Sequence, residues 1–162
     1  MVRAWVDAEG RYPHNDADLA LRDFDRFLDD LRDERNGVGL PRGVERQITY
    51  VALDPAGKVV GEFRLRPWRC EPYAVGNGHL GFNVAHAHRR RGIATAGLGL
   101  LRHHAASHGL PIVVFDVQRS NSASAAVARA NHGRVVHADE QTWWYACPTP
   151  AAAACGSDRA SR

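Results

Sequence analysis

His79-Leu80-Gly81-Phe82-Asn83-Val84-Ala85-His86-Ala87-His88-Arg89-Arg90-Arg91-Gly92-Ile93-Ala94-Thr95-Ala96-Gly97-Leu98-Gly99-Leu100-Leu101 changes period half-way along. Leu80, Phe82 and Val84 alternate with His79, Gly81 and Asn83, the pattern of a half-buried strand. From Ile93 the residues Ile93, Ala96, Leu98, Leu100 and Leu101 take up a helical pattern that runs on to His108, where Gly109-Leu110-Pro111 stops it. Between them lies a basic, glycine-punctuated turn, Arg89 to Ala94. The first N–H groups of a helix have no partner within it, and the helix dipole puts positive charge at the same spot. A turn of this kind holds a phosphate, with Gly92 allowing close approach and Ala94 keeping the next position small.

Two phosphate-binding glycine motifs are excluded. The P-loop needs Gly-x-x-x-x-Gly-Lys-Ser/Thr, and Lys58 is the one lysine in the chain; Gly-x-Gly-x-x-Gly is absent from this turn. Arg-x-x-Gly-x-Ala does fit, with Arg89, Gly92 and Ala94 in register between strand and helix. This arrangement resembles the acyl-CoA pyrophosphate loop of the GNAT superfamily of N-acetyltransferases. The bland alternative is an exposed basic loop at an ordinary helix start.

A chain of 162 residues can bury one substantial core. Its 44% hydrophobic and 24% charged content is that of a soluble globular protein. No apolar run reaches the roughly 20 residues of a membrane span, and Met1 to Trp5 lacks the apolar core of a signal peptide, so the expectation is a cytoplasmic protein without membrane attachment. Cys70, Cys147 and Cys155 are odd in number and follow no paired spacing, which reads as reduced thiols. The net charge of +3 is locally distributed, acidic over Asp16 to Glu34 and basic at Arg89 to Arg91, and favours a small anionic ligand over a nucleic-acid face.

In chain order, Val2 to Gly10 reads as the last turns of a helix. Asn15 or Asp16 caps a helix to about Arg35, with Leu19, Ala20, Phe24, Phe27, Leu28 and Leu31 on one stripe and Asp23, Arg26, Asp30 and Arg32 on a solvated face. Gln47 to Leu53 and Lys58 to Arg66 form a hairpin across Asp54-Pro55-Ala56-Gly57. Pro67 to Gly78 is a long loop, in which Trp68, Glu71 and Tyr73 either line an acceptor pocket or cover the sheet edge. After the long helix, Ile112 to Val117 is a buried strand, Asn121 or Ser122 caps a helix to about Asn131, and Arg134 to Ala138 pairs with Thr142 to Ala146. Residues 148–162 have no amphipathic pattern and are expected to be a disordered tail after one domain spanning residues 1–147.

That order of elements is similar to the GNAT order from its second helix onward, so the resemblance covers Asp16 to Ala146, with Phe63-Arg64-Leu65-Arg66 and Asn121-Ser122-Ala123-Ser124 as further shared motifs. It implies an α/β (α+β) GNAT fold: a central mixed, mostly antiparallel sheet flanked by helices, with the start either truncated or misassigned or the first strand dispensed with. It also implies acetyl-CoA as co-substrate and transfer of an acyl group to a primary amine of a small molecule or peptide by direct attack; no metal is expected, and oligomeric state is left open, a homodimer included. Residue by residue, Val84 falls where strand backbone pairs with the pantetheine arm; Arg89, Arg91, Gly92, Ala94 and Thr95 fall around the pyrophosphate; Asn121 falls where the family hydrogen-bonds the cofactor. His79 and Asp116 are the candidate proton acceptors, each with a structural alternative, the former because an imidazole titrates near neutrality. The family's tyrosine seven residues after that asparagine is Ala128 here. A catalytically weak acyl-CoA-binding sensor therefore stands beside the enzyme, and a basic nucleic-acid binder beyond both. His104 with His108, and His86 with His88, lack the carboxylate motif of a metalloprotease site.

Overall fold

The protein is described by a computed structural model over residues 17–68 and 78–150. Its elements are α1 (Ala17–Arg22), α2 (Phe24–Asn36), β1 (Ile48–Leu53), β2 (Val59–Leu65), β3 (Leu80–Val84), a single 3-10 turn (His86–His88), α3 (Ile93–Ser107), β4 (Ile112–Gln118), α4 (Ser122–Ala130), β5 (Arg134–Ala138) and β6 (Thr142–Pro148). The expected N-terminal helical turns, the question of a first strand, and the expected tail from residue 151 on lie outside the described residues, as do Cys70, Glu71 and Tyr73.

The strands form two three-stranded antiparallel sheets, ordered β1-β2-β3 and β4-β6-β5. The β1-β2 hairpin closes through Asp54, whose N–H donates to the Lys58 carbonyl and whose carboxylate accepts from Ala56 and Lys58 N–H. Asp139 closes the β5-β6 hairpin in the same way, accepting from Gln141 and Thr142 N–H. The helix expected from Asp16 to Arg35 is two helices. Asp23 adopts an extended backbone, φ −147°, and its side chain accepts from Arg26 N–H, so it caps α2 in the middle of the expected helix. Ala20 and Phe27 are buried while Phe24 stays 50% exposed, since the break turns part of the stripe outward.

One core joins both sheets to α3 and α4. Phe63, Leu65, Leu80 and Val84 of the first sheet meet Val113, Phe115, Val117 and Tyr145 of the second over Leu98, Leu101 and Ala105 of α3 and Ala125 and Ala128 of α4. Val114, Trp144 and Ala146 cluster on the opposite face. Two glycines make this approach feasible. A Cβ at Gly97, inside α3, would fall within the Phe63 ring, and a Cβ at Gly78, whose φ is +52°, would run into the Val114 carbonyl. Asn131 binds α4 to α3: its buried amide donates to the Thr95 carbonyl at 3.1 Å and to the Val127 carbonyl at 3.1 Å.

Overpacking at the Phe63 ring outweighs the helix propensity gained by alanine. Gly97→Ala is expected to destabilise the fold by about 2–3 kcal/mol, a fall in Tm of roughly 5–10 °C for a domain of this size. Adding Phe63→Leu recovers part of the loss, which a two-residue thermal-denaturation cycle measures.

Candidate functional site

Where β3 and β4 meet, the two sheets do not merge. They are joined at one end by His79: its N–H donates to the Val114 carbonyl at 2.6 Å, and its Nδ1 accepts from Val114 N–H at 2.9 Å. Beyond that point no ladder runs between β3 and β4 among the described residues.

Which backbone groups face this gap follows from the alternation of an antiparallel ladder. Arg66 N–H donates to the His79 carbonyl and Ala85 N–H to the Val60 carbonyl, so the hydrogen-bonded pairs along β2 and β3 fall at every second residue between them, Arg64 with Gly81 and Glu62 with Asn83. The backbone of Phe82 and Val84 is therefore turned away from β2, toward β4. On the other side, Val114 bonds to His79, so the backbone of Asp116, two residues on, faces the same gap. An opening lined by strand backbone on both sides accepts an extended chain that carries its own amides.

The opening leads to the start of α3. Arg89 folds back and donates from Nε to the Val84 carbonyl at 2.9 Å. Arg90 and Gly92 take the left-handed region, φ 61° and 79°, and Gly92 caps α3 with no side-chain hydrogen bond. A Cβ at Gly92 would meet nothing within 4 Å, so the space before the helix is open. The N–H groups of Ile93, Ala94 and Thr95 point into it, as the Ala96 N–H is the first to be taken up, by the Gly92 carbonyl. Two left-handed residues followed by a helix start turn backbone N–H groups toward a concavity suited to an anion, and the exposed Arg90 and Arg91 add charge. The sequence-predicted residues Val84, Arg89, Arg91, Gly92, Ala94 and Thr95 are thus brought together at the wide end of the opening. Asn121 stands after β4 as the cap of α4; its Oδ1 accepts from Ser124 N–H, which leaves its amide donors for another partner.

The candidate proton-transfer groups occupy different parts of the opening. His79 is 4% exposed at its closed end. An imidazole whose Nδ1 accepts a backbone N–H carries its proton on Nε2 in the neutral form. Asp116 is half-buried on β4, on the face turned away from the core that it shares with Val114. Trp68 lies past the closed end, with the Arg46 guanidinium 4.0 Å above its ring and the His108 ring 5.5 Å from it.

Sequence reasoning overlooked Glu62 and Arg64, which sit on the same outward face as Asn83 and Gly81. Glu62 is 1% exposed, and its Oε1 stands 3.5 Å from the Arg64 Nε. Two charged residues alternating with Gly61, Phe63 and Leu65 in a strand were the available signal. Nearby, burial pushes the Glu34 carboxyl above its usual range, and the Gln47 amide and the charges of Arg66 and Arg64 pull against that rise.

A hollow of about 610 Å3 opens elsewhere, lined by Ile112, Arg129, His132, Arg134, Val136 and Pro148 among others. It takes no residue from β3 or α3 and is separate from the gap. Among the described residues no group of three His, Cys, Asp or Glu side chains is arranged to hold a metal. None of the described helices is long and apolar enough to cross a membrane.

The family model of the acetyltransferase (GNAT) family matches residues 2–133. The chain belongs to the GNAT acetyltransferase family. Its fold is that of solved GNAT structures. Mycobacterium smegmatis RimJ in complex with CoA-disulfide aligns with a TM-score of 0.63 at 18% identity, over 91% of this chain and 75% of the other. A GCN5-related N-acetyltransferase from Kribbella flavida aligns at 0.55 and 24% identity, over 72% and 76%. Nourseothricin acetyltransferase aligns at 0.50 and 19%, over 64% of this chain and 66% of its own. No curated protein matches the sequence.

Within the GNAT frame, Ala128 at the tyrosine position is fully buried in the core. Tyr145, stacked on Phe115 at 6.3 Å, accepts a hydrogen bond from Arg129 Nη1 at 3.0 Å, so this phenol is committed to packing. Cys147 is a buried free thiol whose Sγ points to the Ala128 carbonyl, and burial pushes its pKa from 9.0 up to about 11. A thiol held protonated in this way is a core group and no nucleophile at neutral pH.

A raised thiol pKa stabilises the fold fully below the unfolded value and loses that contribution as pH climbs through the folded one. Stability is therefore expected to fall between pH 9.0 and about 11, with about 2–3 kcal/mol of the drop due to Cys147. Chemical denaturation of Cys147→Ala across that interval shows a correspondingly shallower fall.

Proposed function

We propose that the protein transfers an acetyl group from acetyl-CoA to a primary amine of a small molecule or peptide. The observation that carries this reading is the gap between β3 and β4, lined by the backbone of Phe82, Val84 and Asp116 and ending at an uncapped helix start beside Gly92.

Acetyl-CoA fits the residues present. Its pyrophosphate would be held by the N–H groups of Ile93, Ala94 and Thr95 and by Arg89 and Arg91, and Asn121 would donate its amide to the cofactor from the other side of the gap. Val84 N–H would hold the pantetheine arm as a strand neighbour. When bound, the molecule supplies an acetyl group activated as a thioester. The chain's own contribution is positioning and electrostatics: strand N–H groups fixed by the β2 ladder donate to oxygen where negative charge grows, without having to reorganise. Asp116, on the acceptor-facing side of the gap, takes the proton of the incoming ammonium, directly or through water. His79 acts as a positioning residue that fixes the closed end, because its Nδ1 lone pair is occupied by Val114 N–H.

One observation favours a second reading, an acyl-CoA sensor with little turnover: no phenol stands at Ala128, and Tyr145 is tied to Arg129. A thiolate is a good leaving group, so the enzyme reading does not require that acid. Free-thiol release from acetyl-CoA in the presence of an amine library separates the two.

Calorimetric titration tests the site itself. The parent protein is expected to bind acetyl-CoA, and Gly92→Glu, which puts bulk and negative charge into the phosphate turn, to weaken binding by roughly a hundredfold or more, the scale of a lost charge-assisted anion contact plus like-charge repulsion. Equal affinity for parent and variant sinks the assignment.

A further inference from the structure

Arg64 lies on β2, opposite Gly81 of β3 in the ladder, on the face turned away from α3. Its guanidinium rests over Gly81: a Cβ there would be 3.4 Å from Nη2 and 3.7 Å from Cζ and Nε. Even an alanine Cβ at position 81 would touch it. The side chain is held in place, with only 17% of its surface exposed. Its charge partner is Glu62, whose Oε1 is 3.5 Å from Nε, too far and too poorly directed for a hydrogen bond, and the buried Nε has no hydrogen-bond partner among the described residues. The guanidinium has five N–H donors in a planar fork, and removing the Nε–H from water without a hydrogen bond is costly. A buried polar group in this condition calls for an explanation.

Position supplies one. Gly81 is next to Phe82, whose backbone faces the gap, and Asp116 lies across that gap on the same face. Arg64 is thus a fixed cation one residue from the place where the acceptor amine has to arrive. The planar fork matches a carboxylate in two-point fashion. A phosphate dianion would set two further negative charges beside Glu62, whereas a carboxylate adds one, which the planar fork can meet at two points.

We propose that Arg64 is a specificity residue of the acceptor pocket and that the acceptor is a free amino acid, its carboxylate on the Arg64 fork and its amine directed into the gap. Glu62 holds the guanidinium across Gly81, and Asp116 supplies the negative charge on the amine's side. This rests on the acetyltransferase reading and narrows its acceptor to one chemical class.

The test compares free amino acids with their own amides, which keep the amine and side chain but lose the carboxylate, in a thiol-release assay with acetyl-CoA. The expected result is turnover of at least one amino acid with kcat/KM roughly tenfold or more above that of its amide, the discrimination a hydrogen-bonding site shows against an analogue lacking the group. Arg64→Gln is expected to remove that preference by lowering kcat/KM for the acid alone, and Arg64→Lys to restore part of it, while calorimetric affinity for acetyl-CoA stays within about twofold of the parent, confirming an intact fold. Equal turnover of acids and amides, turnover only of amines without a carboxylate, or an equal loss on both in Arg64→Gln overturns the proposal alone. Absence of acetyl-CoA binding by the folded parent removes the acetyltransferase reading and the proposal with it.

Discussion

The reciprocal hydrogen bonding between His79 and Val114 sets the geometry on which the rest of the molecule depends. Buried backbone groups must find partners, and two neighbouring strands ordinarily satisfy one another along their whole length. Here the pairing is confined to one end. One side chain substitutes for a strand carbonyl by accepting Val114 N–H on its Nδ1, so the two sheets are locked together at a point and left apart beyond it. Gly78 is part of the same device, since its missing side chain lets the chain pass against the Val114 carbonyl on its way into β3.

Three consequences follow from that single junction. A strand edge held in register by β2, with no strand paired opposite among the described residues, offers the Phe82 and Val84 N–H groups and the Phe82 carbonyl, fixed before any ligand arrives. The chain leaving β3 at the open end runs into α3, so the anion-binding helix start stands in line with the opening, and Arg89 secures the connection by bonding the Val84 carbonyl. The outward face of the same strands collects the charged groups Glu62, Arg64 and Asp116, while Phe63, Leu80 and Phe115 are packed inward on α3 and α4. On the proposed reading, cofactor and acceptor approach from opposite faces of the sheet and meet at the gap.

Local chemistry made much of this legible in the sequence. The period-2 run ending at Val84, the glycine at position 92 and the helical period stopping at Gly109 are short-range signals, and the structure follows them: β3 ends at Val84, Gly92 has the positive φ its position requires, and α3 ends at Ser107. Asn121 caps α4 as its residue type suggests. The split between α1 and α2 went unread because Asp23 reads as one more charged residue on the solvated face of a continuous amphipathic helix, and a side-chain cap overrides periodicity only when its own geometry is seen. The parting of the sheets, the tautomer-fixing bond of His79 and the placement of Arg64 over Gly81 are all contacts between residues distant in the chain, to which periodicity and composition are blind. Likewise, Ile112 to Val117 reads as a fully buried strand, yet Ile112 is 40% exposed and Asp116 half-buried, because β4 is the edge of its sheet and borders the gap.

The most direct measurement is amide hydrogen exchange, residue by residue, with and without saturating coenzyme A. If the opening between β3 and β4 is a docking edge, the Phe82 and Val84 amides exchange readily in the free protein and are slowed at least about tenfold in the complex, together with the Ile93 to Thr95 amides at the start of α3. Protection of Phe82 and Val84 already in the free protein, or exchange there that coenzyme A leaves unchanged while it binds, would contradict the account.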